Sequence, residues 1–370
     1  MFNALPPPFN FVVPFVIVLG VLVFFHELGH YLAARWRGVH VEAFSIGFGQ
    51  ALATWKDRHG TVWKLAWIPL GGYVKLHGQE RPEDAPPEVR AAWQPGRTFH
   101  EKSVASRAIV VAAGPVANFV LAALLFALLF ATAGQPLILP EIGEVLPNTP
   151  AAQAGLQTGD RILSIDGQKV TTFEDIQRIV AARPDTKLVL QLQHDGKVET
   201  RQLTTGVREQ GGRRIGSLGV TAHATAFHRL PVGRALVTGV THTYDVAAQT
   251  LVGLWHMVTS GRGTEDLGGP LRIAQLSGEV AQLGFASLID FIAVLSVNLG
   301  LINLFPIPIL DGGHLLFFLA EAVRGKPLPP RAVEYGFRAG FALLVGLFMF
   351  ATWNDLSHMG LVRWLAHLIG

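Results

Sequence analysis

The fold is decided by the first apolar segment, Phe9 to Ala34, which reads FNFVVPFVIVLGVLVFFHELGHYLAA. A helix of about 20 apolar residues spans a bilayer, and this segment is longer. No Lys or Arg precedes it and no small-residue cleavage site follows, so we expect a retained span rather than a signal peptide. Glu27 is the first charged residue of the chain, and a carboxylate flanked by two histidines within an apolar span indicates a function.

His26 and His30 are four residues apart, which places both imidazoles on one face of a helix, where they can bind one zinc ion. Glu27 lies between them and can act as the general base on a zinc-bound water. The competing interpretation is a set of polar side chains that are satisfied by hydrogen bonds inside a helix bundle. The chain has no cysteine, so the third protein ligand of a catalytic zinc must be a histidine or a carboxylate.

The candidate for that third ligand is Asp311, in the stretch Asn303 to His314, which reads NLFPIPILDGGH. Two prolines interrupt this apolar stretch and free backbone groups, which is tolerated at membrane depth only against protein or a water-filled cavity. Two alternatives stay open. Asp311 could merely cap the helix that begins at Gly312, or His314, one turn further on, could be the ligand.

The composition is that of a membrane protein. Half of the 370 residues are hydrophobic and 15% are charged, against about 25% in soluble domains. The net charge is +3, but the basic residues form no dense run, so no nucleic-acid partner is expected. Four blocks have membrane-spanning length. They are about Phe9–Ala34, Ala108–Ala133, part of Leu288–Val323, and Phe337–Trp353.

Basic loops predict the orientation of the spans. The loop from Arg35 to Arg107 is rich in Lys and Arg, and the loop from Arg324 to Arg338 carries further basic residues. The positive-inside rule places both loops in the cytoplasm and therefore both termini outside. The segment from about Gly134 to Gly284 then also lies outside, because long domains cross a membrane largely regardless of their charge.

Two regions outside the spans have recognisable patterns. The cytoplasmic loop contains two glycine-rich, β-prone pieces, Phe44–Gly49 and Gly71–Leu76. The outer segment begins as a small domain with an amphipathic helix at Thr172–Ala182. Its predicted strands are Ile142–Val145, Arg161–Ile165 and Leu188–Gln193. From Pro231 to Ser260 the pattern is helical, and this helix is expected on the outer membrane surface.

Three motifs follow one another along the chain. They are His26-Glu27-Leu28-Gly29-His30, Gly114-Pro115-Val116-Ala117-Asn118-Phe119 and the stretch Asn303–Gly313. Together and in this order they resemble the site-2 protease family, and more closely its bacterial RseP-type intramembrane proteases. The segment Glu141–Thr205 resembles a PDZ domain of the bacterial protease type. Many RseP-type proteins carry two PDZ domains in tandem, whereas this segment has room for one.

The resemblance implies that His26, His30 and Asp311 bind Zn²⁺ and that Glu27 activates water. It also implies a set of substrate-binding residues in the spans and in a membrane-associated β-hairpin. These are Asn303, Asn298, Asn118, Gly72, Tyr73 and Val74. The hairpin would pair with an extended substrate by strand addition. The alternatives are that the asparagines join helices and that the hairpin is a structural cover over the site.

The activity that the resemblance implies is zinc-dependent cleavage of single-span membrane proteins in regulated intramembrane proteolysis. The expected substrates are already trimmed by another protease, such as anti-sigma factors or signal-peptide remnants. The PDZ domain would either bind peptide or exclude bulky chains. The expected location is the bacterial inner membrane, with both termini and the PDZ domain extracytoplasmic. The alternative is a non-catalytic membrane protein that handles zinc, or a PDZ scaffold.

The predicted fold class is an α-helical polytopic membrane protein with four transmembrane helices, a cytoplasmic β-hairpin region and one extracytoplasmic α+β PDZ domain. The expected boundaries are 1–34 for the first transmembrane helix, 35–107 for the cytoplasmic loop with the hairpin, 108–133 for the second transmembrane helix, 134–225 for the PDZ domain, 226–284 for extracytoplasmic amphipathic helices, 285–323 for the third transmembrane segment, 324–336 for a cytoplasmic loop, and 337–370 for the fourth transmembrane helix and C-terminal tail.

Overall fold

The computed structural model describes residue 6 and residues 9–80, 82, 85–210, 213–222, 225–260 and 269–358. The start of the predicted first helix and the predicted tail beyond residue 358 therefore lie outside the described residues. The helices are α1 (Phe9–Trp36), α2 (Pro87–Ala91), α3 (Val104–Thr132), α4 (Pro150–Gln153), α5 (Phe173–Ala181), α6 (Val232–Ser260), α7 (Pro270–Leu283), α8 (Phe285–Leu304), α9 (Asp311–Arg324) and α10 (Pro330–His358).

The strands fall into small antiparallel sheets. They are β1 (Val41–Lys56), β2 (Val62–Leu76), β3 (Gln135–Ile138), β4 (Ile142–Val145), β5 (Arg161–Ile165), β6 (Gln168–Lys169), β7 (Lys187–His194), β8 (Lys197–Thr204), β9 (Gly206–Gln210), β10 (Arg213–Ser217), β11 (Val220–Ala222) and β12 (Thr225–His228). The chain divides into two units, residues 130–231 and a helical unit formed by the residues on either side of them.

Four helices among the described residues are long and apolar enough to cross a membrane: α1, α3, α8 and all but the last residue of α10. They coincide with the four apolar blocks of the sequence. The third block is broken, because α8 ends at Leu304 and α9 begins at Asp311. Pro306 and Pro308 lie between them and cannot continue the hydrogen bonding of a helix. The break turns the start of α9 back toward the other helices.

The helices expected on the outer surface belong to the helical unit. The helix α7 packs against α1 and α8, and α6 packs against α8. One buried cluster joins α1, α7 and α8, and it contains Val18, Leu22, Ala281, Leu288 and Ile292. Asp355 of α10 accepts hydrogen bonds from the backbone N–H groups of Gly269, Leu271 and Arg272. These bonds satisfy donors that the first turn of a helix otherwise leaves free.

The two β-prone pieces of the loop pair with each other in a long hairpin. Phe44 lies opposite Val74, and Ile46 lies opposite Gly72. The strands continue beyond both pieces to a pair between Trp55 and Trp63. Phe44 is fully buried and stacks on Trp63 with ring centroids 4.2 Å apart. The Phe44 ring also meets the Tyr31 ring of α1 edge-on, with centroids 5.9 Å apart, so one face of the hairpin packs on α1.

Asp57, in the turn of this hairpin, accepts four hydrogen bonds. Two come from side chains, the Tyr31 hydroxyl at 2.8 Å and the Trp63 indole N–H at 3.0 Å. Two come from the backbone N–H groups of His59 and Thr61. Burial alone would raise the pKa of this carboxyl, but the hydrogen bonds outweigh it and hold the pKa below its usual range. Asp57 therefore ties the turn to α1 as a carboxylate.

The unit of residues 130–231 has mixed α and β structure, as predicted for its first part. Its main sheet has the order β6-β5-β7-β8. The helix α5 begins with a capping box, in which Thr172 and Asp175 bond each other's backbone N–H groups. A single buried cluster, which includes Ile142, Ile162 and Leu190, joins these elements.

Candidate metal centre

Three predicted ligands meet in the helical unit. His26 and His30 lie on adjacent turns of α1, and Asp311 is the first residue of α9. The Asp311 Oδ2 atom lies 3.2 Å from His26 Nε2 and 3.5 Å from His30 Nε2. The two Nε2 atoms are 3.3 Å apart. Among the described residues, these are the His, Asp and Glu side chains whose donor atoms are close enough to share a metal ion.

The spacing of these atoms fits a zinc ion. Zinc bonds of about 2.0–2.1 Å in tetrahedral geometry separate the ligand atoms by about 3.3 Å. The Asp311 Oδ2 atom is buried and has no hydrogen-bond partner, although two ring nitrogens lie beside it. Two imidazole nitrogens and a carboxylate oxygen that lie within 3.5 Å of one another are the donor set expected around a zinc ion.

Neither alternative for Asp311 agrees with the structure. The residue that caps α9 is Leu310, and no side chain caps this helix end. Asp311 lies inside the first turn and directs Oδ2 to the two histidines. His314 is outside the donor set, since its Nδ1 atom lies 3.1 Å from the Leu310 carbonyl oxygen and can donate to it.

The histidine rings are held from behind by α3. His30 Nδ1 donates to the Val110 carbonyl oxygen at 2.9 Å, which leaves the Nε2 lone pair of the neutral ring for a metal. His26 Nδ1 lies 3.1 Å from the amide nitrogen of Asn118, whose side chain is fully buried. The Asn118 Oδ1 atom is buried without a partner.

Two glycines make room for this arrangement, and the sequence analysis assigned no role to either. A Cβ atom on Gly114 would collide with the rings of His26 and His30. A Cβ atom on Gly29 would collide with the Ala113 carbonyl group of α3. The helices can approach so closely because both positions lack a side chain. The sequence could have indicated the importance of these two glycines, since each lies inside one of the three motifs.

A cavity of about 550 Å³ adjoins the metal centre. Glu27, the three candidate ligands and most of the expected substrate-binding residues line it. The lining includes Glu27, Gly72, Tyr73, Val74 and Asn303. The strand β2 passes close to Glu27, because a Cβ atom on Gly72 would lie 3.1 Å from Glu27 Cγ. Since β1 and β2 form a two-stranded sheet, the far edge of β2 pairs with no described strand.

Two of the expected substrate-binding residues do not line this cavity. Asn118 lies against His26, as described above. Asn298 accepts a hydrogen bond from the Thr250 hydroxyl at 3.0 Å and so joins α8 to α6. The sequence could not separate these asparagines from Asn303, because their contacts are with residues far away in the chain.

Three candidate zinc ligands with a neighbouring glutamate, on helices of membrane-spanning length, are typical of the class of membrane zinc metalloproteases. The chain belongs to peptidase family M50, the site-2 protease family, whose sequence model matches residues 14–347. A protein of Agrobacterium fabrum, named provisionally as a zinc metalloprotease, is 43% identical over 95% of this chain and 96% of its own length. Metalloprotease MmpA of Caulobacter vibrioides is 37% identical over 96% of this chain and 98% of its own.

These relatives confirm the predicted family, the enzyme class and the zinc cofactor. The alternative of a non-catalytic zinc-handling protein or scaffold is not supported. Among solved structures, the PDZ domain of the SdrC-like protein from Listeria monocytogenes is similar to part of the chain. It is 20% identical over 22% of this chain and 84% of that chain, with a TM-score of 0.20.

Proposed function

We propose that this protein is an intramembrane endopeptidase that cleaves single-span membrane proteins within or beside the bilayer. One observation carries the proposal. The Glu27 carboxylate, the three ligand atoms and the β2 segment Gly72–Val74 line one cavity among helices that can span a membrane. A peptide bond in this cavity would lie next to a metal centre, a general base and a backbone edge at once.

The chemistry is assigned to four side chains. His26, His30 and Asp311 hold zinc, which when bound polarises a carbonyl group and lowers the pKa of water to near 7. Glu27 accepts the proton of the attacking water and later delivers it to the leaving amine. The strand β2 packs beside the Glu27 side chain at Gly72 and limits its freedom of movement.

For Asn118 we propose a positioning role instead of the substrate contact that the resemblance implies. A half-turn of the amide exchanges its oxygen and nitrogen at the same site. With Oδ1 toward the ring, Asn118 accepts the Nδ1–H of His26 and leaves the Nε2 lone pair for zinc. The same orientation gives the buried Oδ1 atom the partner that it otherwise lacks.

The substrate is proposed to bind as an extended segment. A helical chain hides its peptide bonds in internal hydrogen bonds, so it must unwind locally before cleavage. The unpaired edge of β2 at Gly72, Tyr73 and Val74 would stabilise the unwound segment by strand addition. Asn303, which lines the same cavity, would bond to the exposed backbone. For Asn298, the bond to Thr250 favours helix packing over substrate contact.

The unit of residues 130–231 is proposed to be a single PDZ domain that restricts access to the site. Its strands and capped helix α5 agree with the PDZ-like motifs of the sequence. The proposed location is the inner membrane of a bacterium, with this unit and both termini outside. The substrates would be pre-trimmed anti-sigma factors or signal-peptide remnants. Removing residues 141–205 should permit cleavage of an untrimmed substrate, and unchanged discrimination would contradict a filter.

The proposal is tested with the full chain in lipid nanodiscs and a single-span fusion protein as substrate. Mass spectrometry of the products should place the cut within the span of the substrate. Cleavage should stop when a chelator removes zinc and return when zinc is restored. A cut confined to the soluble parts of the fusion, or activity that survives complete zinc removal, would contradict the proposal.

A further inference from the structure

A second cavity, of about 290 Å³, lies at the end of α1 beside the turn of the β1–β2 hairpin. It shares no lining residue with the cavity at the metal centre. Its charged and titratable lining consists of three guanidinium groups and two imidazoles. These belong to Arg35, Arg58, Arg97, His40 and His59. We refer to these five residues as the basic pocket.

The guanidinium groups of the basic pocket lack a carboxylate partner within ion-pair distance in the described part of the chain. Among the described residues, none of Arg35, Arg58 and Arg97 forms an ion pair. Arg35 donates to the Tyr31 hydroxyl at 3.0 Å, and Arg97 donates to Gln94 Oε1 at 2.7 Å. Each guanidinium has five N–H donors. Arg97 Nη2 also lies 3.4 Å from His40 Nδ1. These contacts use only part of the guanidinium donors, and the remaining donors can bind a ligand.

Asp57, the carboxylate in the hairpin turn, forms no ion pair with these arginines. Asp57 already accepts two side-chain and two backbone hydrogen bonds. Turning toward the arginines would break bonds that anchor the turn to α1. Burial first, and then the nearby positive charges of Arg97 and His77, lower the pKa of His40 although Glu42 and Asp57 act in the opposite direction. A bound anion would relieve this repulsion.

The position of the basic pocket indicates where such an anion would come from. Arg35 lies in the last turn of α1, a helix of membrane-spanning length. The next residue, Trp36, is 73% exposed, and exposed tryptophans at helix ends are typical of the membrane interface. Basic pockets beside spanning helices bind the headgroups of anionic lipids. The planar fork of an arginine also matches the geometry of phosphate oxygens.

We propose that the basic pocket binds a phosphate group, supplied by the headgroup of an anionic phospholipid at the membrane surface. Arg58 and Arg97 would contact the phosphate from the hairpin turn and the following loop, and Arg35 from the end of α1. Such a ligand would join the hairpin to the membrane at the helix that carries His26 and His30. The same donors could also bind a free phosphate ion, so the test separates the two sources.

The experiment measures binding to the full chain in neutral detergent. The probes are a short-chain phosphatidylglycerol, the matching diacylglycerol without phosphate, and inorganic phosphate. The double variant Arg58→Gln/Arg97→Gln removes two exposed guanidinium groups. The control Arg324→Gln/Arg331→Gln removes the same charge from two other exposed arginines near membrane-spanning helices. Zinc content measured for each variant shows whether the helical unit is still folded.

Phosphatidylglycerol should bind saturably and raise the unfolding temperature of the wild-type chain, whereas the diacylglycerol should not. Affinity should fall at least about tenfold in the Arg58/Arg97 variant and stay near wild type in the control. Inorganic phosphate that binds as tightly, with the same loss in the variant, would make the free ion the source. The proposal is overturned if both variants lose affinity equally, if the diacylglycerol binds as well, or if neither phosphate probe binds.

Discussion

The two halves of the metal centre are built in different ways. The histidines stand on an unbroken helix, where a spacing of four residues alone brings them together. Asp311 stands at the first position of α9, directly after a helix break that two prolines impose. One half of the site is thus fixed by local geometry, whereas the other depends on how α9 packs against α1. Changes in the two halves should therefore have different effects.

The largest effect is expected at Glu27, which lies on the unbroken helix but is not a ligand in our assignment. Glu27→Gln should lower the rate of cleavage by about 10²–10⁴-fold, because the general base is lost. Zinc content should stay near one ion per chain, since His26 and His30 keep their positions. Elemental analysis and single-turnover cleavage of a membrane substrate measure the two quantities. Retained cleavage would remove Glu27 from the mechanism.

The next effect tests the half that depends on packing. Asp311→Asn removes the anionic ligand, so zinc affinity should fall by more than the 10–100-fold that is typical of changes behind the ligands. Competition with a chromophoric chelator measures this affinity. His314→Asn is the matched control and should bind zinc like the wild type, because His314 lies outside the donor set. If His314→Asn lost more zinc affinity than Asp311→Asn, His314 would be the third ligand instead of Asp311.

A smaller effect separates two asparagines of the helical unit, Asn118 and Asn298. Asn118→Leu should weaken zinc binding by about 10–100-fold, because His26 loses the partner that sets its protonated nitrogen. Asn298→Leu breaks the bond to Thr250 and should leave zinc affinity unchanged. The same chelator competition reports both variants. Equal affinities would refute a positioning role for Asn118.

The smallest effect concerns the hairpin turn. The folded-state pKa of Asp57 lies below the unfolded value of about 4. Its contribution to stability is therefore complete above about pH 4 and is lost as the pH falls through the folded-state value. Asp57→Asn should destabilise the hairpin by about 1–3 kcal/mol at neutral pH. Thermal unfolding of the wild type and of Asp57→Asn is measured from pH 7 to pH 3, and the difference between their unfolding temperatures should narrow. If this difference stays constant, the lower stability of the variant has a cause other than the charge of Asp57.

The sequence predicts the features that depend on local geometry and misses those that depend on packing between distant residues. The spans, the histidine pair, the helix at Thr172–Ala182 and three strands of the 130–231 unit follow from local patterns, and all of these agree with the structure. The other strands of this unit were not predicted. The pairing of Trp55 with Trp63 was not predicted, because this part of the hairpin lacks the glycine-rich pattern of the pieces that were found.

Long-range contacts account for the rest. The bond between Asn118 and His26 joins residues 92 positions apart, and the bond between His30 and Val110 joins residues 80 apart. No periodicity encodes such pairs, since helix packing alone decides which faces meet. The lone carboxylate beside the proline break already made Asp311 the candidate third ligand, and the family resemblance implied the same role. The resemblance also grouped Asn118 and Asn298 with Asn303. The structure places the three in different surroundings.

A zinc ion bound between α1 and α9 would also stabilise the fold. A chain without cysteine cannot form a disulfide. Zinc bound by His26 and Asp311 would instead cross-link residues that are far apart in the sequence. Ligands that bind only the folded chain stabilise it in proportion to the logarithm of their concentration. The melting temperature of this protein would then rise with free zinc, which makes metal supply a determinant of its lifetime as well as of its catalysis.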